Sequence, residues 1–209
     1  MSTIKDYKKE QKDLYYPKPQ PSIIDVPEIS YVAVKGQGNP NDESGEYQKA
    51  LEVMYGIQYT IKMSKKGTPP EGYFDYVVPP LESFWWLDDS EDLTAKSKYN
   101  WIAVVRLPEF VNDKVFQWAC DEVTKKKKIC TEKAYLLTMA EGLCVQCMHI
   151  GPYDDEPKTL TLIDEYIDKN NLIKDIADKR LHHEIYLSDP RKTEPIKMKT
   201  ILRIPVKNK

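Results

Sequence analysis

The sequence predicts an α+β fold made of duplicated strand-helix-strand-strand (SHS2) modules, and three observations carry that prediction. Apolar spacing gives the same order of elements, strand, helix, strand, strand, over residues 29–107 and again over residues 143–206. The ends of the two stretches also correspond: WIAVVRLP resembles TILRIPV, and SFWWLDD resembles EIYLSDP, as duplication of one small module would leave them. Finally, 209 residues at 41% hydrophobic and 31% charged can bury a large core, as one domain or as two small fused ones. Each module would cover one sheet face with helices, leaving two further sheet faces to meet or to frame a cleft.

Taken in order, residues 1–25 read as an amino-terminal arm, in which Ile4, Tyr7 and Leu14 give a short apolar edge before Pro17, Pro19 and Pro21 impose an extended path. Residues 26–206 read as a single domain holding both repeats. ISYVAVK, beginning at Ile29, alternates as a strand, and GQGNPNDESG after it is a loop. Ala50, Val53, Met54, Ile57 and Ile61 then recur at helical spacing between Glu46 and Lys62. Pro79 and Pro80 divide two short extended pieces, and YNWIAVVRL is a strand closed by Pro108. A second helix follows, capped by Asn112 or Asp113 and ended by the run Lys125 to Lys128, whose charges complement the helix dipole. In the second repeat Leu143 to Ile150 is a strand and GPYDDEPKT a polar turn. Leu160, Ile163, Tyr166 and Ile167 line a helix that runs to about Lys169, and two strands lie within Leu181 to Val206.

The first of those two strands holds the candidate centre. Alternation places His182, Glu184 and Tyr186 on one face and His183, Ile185 and Leu187 on the other, and the Ile185/Leu187 face is the expected core side. A carboxylate at Glu184 is then solvated, paired or used. Phe84, Trp85, Trp86, Trp101 and Tyr55 lie on elements that could surround it, and apolar walls around a few polar groups are the usual form of a small-molecule site. Glu82 and His182 are the polar residues added to that wall, and Glu82 with Glu184 could make a carboxylate pair.

Other chemistries find no support. The formal charge of −2 gives no broad footprint for nucleic acid, and no apolar run is long enough to span a bilayer, so neither direct DNA binding nor a membrane is expected. No GxxxxGK[ST] or GxGxxG occurs, which leaves no expected cofactor. Cys144 and Cys147 of CVQC point to opposite strand faces, and His149, His182 and His183 have no ligand spacing, so no metal is expected. Four cysteines in a chain this long, with no leader pattern, suit a reducing cytoplasmic setting.

VVPPLESFWW at Val77 to Trp86, LPEFV at Leu107 to Val111, EGLCVQCMHIGPYDDEPKT at Glu141 to Thr159 and HHEIYLSDPRKTEP at His182 to Pro195 together resemble the GyrI-like small-molecule-binding superfamily. The likeness is to its stand-alone bacterial branch without a DNA-binding domain. It implies pseudo-twofold modules around a central cleft, with Glu184 at the position of the acidic residue by which multidrug-sensing relatives hold cationic lipophilic compounds. Some stand-alone relatives are similar to hydrolases that open the cyclopropane of DNA-alkylating cyclopropanoid compounds. Ser83-Phe84 stands here where that branch commonly has Gly-Leu, which assigns Phe84 to reshaping the pocket. The expected function is therefore binding of a hydrophobic or cationic aromatic molecule, with hydrolysis of cyclopropanoids. Glu184 would be the base, and Tyr186 and Tyr55 would stabilise charge on oxygen. Sequestration without turnover, or an interaction with gyrase, is the alternative.

Overall fold

A computed structural model describes residues 4–87, 96–177 and 180–209. Asp88 and Asp89, which end the SFWWLDD correspondence, lie outside the described residues. The elements follow in the order α1 (Tyr7–Glu10), α2 (Lys12–Tyr15), β1 (Ser22–Gln37), α3 (Glu46–Met63), β2 (Leu81–Trp86), β3 (Asn100–Arg106), α4 (Asp113–Lys127), β4 (Ala134–Ile150), α5 (Glu156–Lys169), β5 (Leu172–Lys174), β6 (His182–Tyr186) and β7 (Lys199–Asn208). This is an α+β chain. Residues 29–107 run strand, helix, strand, strand, and residues 143–206 keep that order with the three-residue β5 added. β1 and β4 are longer than alternation alone predicts. Pro27 lies inside β1, and Gly142, at φ 65°, lets β4 turn out of regular geometry without ending.

Two compact units divide the chain, and their bounds are not those of the repeats. The first contains residues up to Asp6, Ile29–Pro79 and Trp86–Thr138; the second contains Tyr7–Glu28, Pro80–Trp85 and Met139–Lys209.

In the first unit β1 and β3 pair antiparallel, with Tyr31 opposite Arg106 and Gly36 opposite Trp101. The Trp101 ring lies over Gly36 so closely that a Cβ there would sit 2.4 Å from it, and Tyr47 meets the ring edge-on at 5.0 Å. α4 opens on Asn112, whose Oδ1 accepts the Val115 N–H at 3.1 Å, and closes at Lys128 in the left-handed region.

In the second unit β7 is the central strand, antiparallel to β4 on one edge and to β6 on the other, while β5 pairs with its last residues and β2 with β6. One face of this sheet is covered by α5: Leu202, Ile204 and Val206 of β7 pack with Val145, Cys147, Ile163, Ile167 and Leu172. On the other face the alternate residues Arg203 and Gln146 reach the amino-terminal segment, where Arg203 donates to the Leu14 carbonyl at 3.1 Å and Gln146 to that of Asp13 at 2.7 Å. Tyr7, Leu14 and Tyr15 are buried there, so α1 and α2 belong to the unit's packing.

Candidate functional site

β6 is buried at every second residue, with His183 and Ile185 inside and His182, Glu184 and Tyr186 half-buried on the opposite face. Directly opposed residues of antiparallel strands share a face. Glu184 therefore lies beside Ser83 of β2 and Leu202 of β7, and Tyr186 beside Leu81 and Thr200. Since Leu202 packs under α5, the face of Glu184 is the face that carries this helix. The expectation that helix and carboxylate lie on opposite sides of the sheet is corrected here, because strand register, which alternation does not specify, decides the side.

Glu184 is held by two neighbours on its own strand. Its Oε2 accepts the Tyr186 hydroxyl at 2.7 Å, and its Oε1 lies 3.0 Å from His182 Nε2. The Tyr186 oxygen in turn accepts the Trp85 indole N–H at 3.0 Å. A relay thus runs from indole to phenol to carboxylate and fixes the direction in which Glu184 presents its remaining lone pairs.

α5 delivers a second carboxyl to the same face. Thr200, next to Tyr186 across the β6–β7 pair, neighbours Glu156 in the first turn of α5. Burial, then the negative charges of Glu184 and Asp154, push the Glu156 carboxyl up to about 9. Its Oε1 is buried and has no hydrogen-bond partner. Tyr153, one turn earlier, meets Tyr186 edge-on at 5.9 Å, and burial followed by Glu156, Glu184 and Asp189 lifts its phenol to about 12. His149 anchors this turn: its Nδ1 is 2.9 Å from the Thr159 hydroxyl and its Nε2 is 3.0 Å from the Pro152 carbonyl. The face therefore brings two carboxyls and two phenols together, and burial beside negative charge raises Glu156 and Tyr153 above their ordinary values.

Glu82 and Phe84 project the other way. Register pairs Glu82 with Ile185 and Phe84 with His183, and Phe84 stacks on the His183 ring at 4.1 Å. Of the Ser83-Phe84 pair it is Ser83 that stands beside Glu184, because neighbouring strand residues alternate faces. Glu82 belongs to a buried ion network in which His183 Nε2 is 3.0 Å from Glu82 Oε2, at an angle that misses a hydrogen bond, and Nδ1 is 3.0 Å from Glu141 Oε1. Arg203 Nη1 also meets Glu141, at 2.9 Å. Burial alone would raise Glu141, but His183 and Arg203 override it and hold the carboxyl near about 2. Burial would likewise lower His183, yet Glu141 and then Glu82 raise it. The buried Glu141 is thus paired on one side with Arg203 and on the other with His183.

Tyr55, Trp86 and Trp101 are residues of the first unit. Tyr55 is half-buried on α3 with its ring 6.4 Å from Tyr59, Trp86 lies under the Lys35 ammonium at 5.1 Å, and Trp101 is 1% exposed in its packing over Gly36. The structure thus joins Glu184, Tyr186, Trp85 and His182, and turns Glu82 and Phe84 to the opposite face of the same sheet. Glu156 and Tyr153 are the residues that sequence reasoning passed over. The signal was present: Asp155-Glu156-Pro157 has proline in a first helical turn, which starts α5 before Leu160.

Among the described residues no group of three His, Cys, Asp or Glu side chains is arranged to hold a metal ion, and no helix is long and apolar enough to cross a membrane. A depression of about 250 Å³ between α5 and β5, lined by Asp164, Ile167 and Leu172 among others, contains none of the clustered groups.

Residues 19–207 match the GyrI-like small molecule binding domain. No curated protein gave a match. Two crystal structures of hydrolases from Listeria innocua are similar: one at 45% identity, covering 97% of this chain and 100% of that one with a TM-score of 0.89, the other at 46% identity, covering 98% and 100% with a TM-score of 0.90. The EcmrR C-terminal domain, 12% identical over 91% of this chain and 98% of its own with a TM-score of 0.54, shares the fold.

Proposed function

Since the chain belongs to the GyrI-like small-molecule-binding family, we propose that it is a hydrolase centred on Glu184, acting on lipophilic aromatic compounds that carry an electrophilic cyclopropane. The similarity to two Listeria innocua hydrolases over nearly the whole chain supports the enzymatic part of this reading. The observation that carries the site is the relay from Trp85 through Tyr186 to Glu184, which orients a half-buried carboxylate beside aromatic rings. For a cyclopropane conjugated to a dienone, Glu184 takes a proton from water as the water oxygen bonds to the ring methylene. The broken C–C pair moves through the dienone to its oxygen, which becomes phenolic. Tyr186 positions the base.

The reading includes descent of the two strand-helix-strand-strand stretches from one duplicated module, supported by their shared element order. It also includes a cytoplasmic setting, supported by four free cysteines, and a detoxifying role, which follows from opening such an electrophile. A second reading, retention of a cationic aromatic ligand without turnover, is favoured by the same carboxylate lying among phenol and indole rings.

The deciding experiment compares wild type with Glu184→Gln on a duocarmycin-type substrate, with product followed by mass spectrometry and binding by tryptophan fluorescence. Glutamine keeps the shape and removes the base, so turnover is expected to fall by about 10²–10⁴-fold while a neutral aromatic ligand still binds. Cation binding without turnover by wild type selects the second reading, and unchanged turnover by the variant removes Glu184 from the chemistry.

A further inference from the structure

His182 differs from the other two histidines in what holds its ring. Both nitrogens of His149 are engaged, by the Thr159 hydroxyl and the Pro152 carbonyl, and each nitrogen of His183 has a carboxylate 3.0 Å away, from Glu82 or Glu141. His182 is tied at one nitrogen: Nε2 lies 3.0 Å from Glu184 Oε1, while Nδ1 is covered and has no hydrogen-bond partner. A ring nitrogen that faces an ionised carboxylate at that distance carries its proton whether the imidazole is neutral or charged. The charge of His182 is therefore decided at Nδ1, and it changes without breaking the contact with Glu184.

That contact is one half of a clamp. Tyr186 donates to Oε2 at 2.7 Å, so both carboxylate oxygens are held from β6 itself. Trp85 stands opposite His182 across the β2–β6 pair and reaches the Tyr186 oxygen at 3.0 Å, which places an indole and a phenol beside the carboxylate. The His182 and Glu184 side chains keep 19% and 15% of their surface, so solvent reaches the pair. The other titratable groups around this face are Tyr153, Asp154 and Glu156 at the start of α5, and Asp189 beyond β6, which Arg191 holds. Of the described residues that hydrogen-bond Glu184, only His182 can become a cation.

We infer that His182 is the positioning and selectivity residue of this site: its Nε2 fixes the Glu184 carboxylate toward a ligand, and its charge decides whether a cationic aromatic molecule is held. The inference rests on the reading of Glu184 as the ligand's carboxylate and is independent of hydrolysis. With the imidazole neutral, the pair has one net negative charge beside the Trp85 and Tyr186 rings, and a ligand cation is attracted by both charge and ring faces. With the imidazole protonated, the pair is neutral overall and the Coulomb attraction is lost. A neutral aromatic ligand uses the rings alone and is indifferent to the change. Imidazole changes charge between about pH 5 and pH 8, so one site sorts cationic from neutral ligands over that range.

The test titrates 1-methylquinolinium, a permanent cation, and 1-methylnaphthalene, its neutral isostere, into wild type, His182→Gln and Glu184→Gln by calorimetry between about pH 5 and pH 8. Neither ligand carries a cyclopropane, so the outcome does not depend on turnover. Wild-type affinity for the cation is expected to fall by about 5–150-fold from the alkaline to the acid end, the usual size of a coupling between two sites, while affinity for the neutral isostere stays level. Glutamine retains an N–H donor for Oε1 and takes up no proton. In His182→Gln the cation should therefore bind as tightly at the acid end as at the alkaline end, and in Glu184→Gln it should bind weakly at both. Nitrogen-15 spectra of wild type give a reading that needs no variant. His182 Nδ1 should pass from bare to protonated as pH falls, with Nε2 protonated throughout, and saturating cation should move that change to lower pH by reciprocity. A cation affinity that falls equally in wild type and His182→Gln, or is level with pH in wild type, overturns the role of His182 and leaves Glu184 as the ligand's partner. An Nδ1 transition unmoved by the cation does the same. If wild type holds the cation no better than Glu184→Gln at the alkaline end, the reading of Glu184 itself fails and the inference with it.

Discussion

Tyr186 uses both functions of its hydroxyl, giving its proton to Glu184 and its lone pair to the Trp85 indole, so a single oxygen atom couples two strands and a carboxylate. Removing it by Tyr186→Phe deletes a hydrogen bond to a charged acceptor, for which a stability loss of about 1.5–3 kcal/mol is expected in chemical denaturation. The Trp85 indole N–H resonance should move in the same variant; a resonance and a midpoint both unchanged would contradict the relay. At this scale much was legible from the sequence. Alternation along HHEIY put Glu184 and Tyr186 side by side, and the burial pattern agrees. Glu156 was not read, because the polar run GPYDDEPKT has no apolar period of its own, and only Thr200 and Tyr186, distant in sequence, show that the start of α5 meets β6.

Elements were legible wherever one face is apolar and misread where both faces are covered. α3, α4 and the later turns of α5 declare themselves by spacing, whereas β1 and β4 contain Pro27 and Gly142 and read as starting only after them, at Ile29 and Leu143. The two four-residue helices are a harder case, since isolated helices so short have no stability of their own and exist here through tertiary packing. Their removal tests that dependence. Deleting residues 1–16 strips Arg203 and Gln146 of the Leu14 and Asp13 carbonyls and uncovers a buried charge network. A buried donor left without its partner costs about 1–3 kcal/mol. The shortened protein is expected to melt well below the full chain, and an equal melting temperature would show the segment to be a loose arm after all.

For the molecule as a whole, that network sets how stability follows pH. Glu141, held near about 2 against an ordinary 4.5, contributes stability that is complete above 4.5 and lost as pH falls through its folded value. His183, raised from 6.5, contributes stability that is complete below 6.5 and lost as pH rises through its folded value. The two windows overlap between pH 4.5 and 6.5. Thermal unfolding should therefore show its maximum there, and His183→Gln should flatten the alkaline decline; a wild-type maximum well above neutrality would refute the protonated bridge. The two compact units were not legible in advance, because the second gathers three separated pieces of chain through contacts such as Arg203 with Leu14, which are 189 residues apart. On a ribosome that distance becomes time. At about 5–20 residues per second, roughly 10–40 s pass between the appearance of Leu14 and that of Arg203. For that interval Leu14 has been made but the arginine that holds its carbonyl has not, and the docking of this segment waits on a strand still to be synthesised.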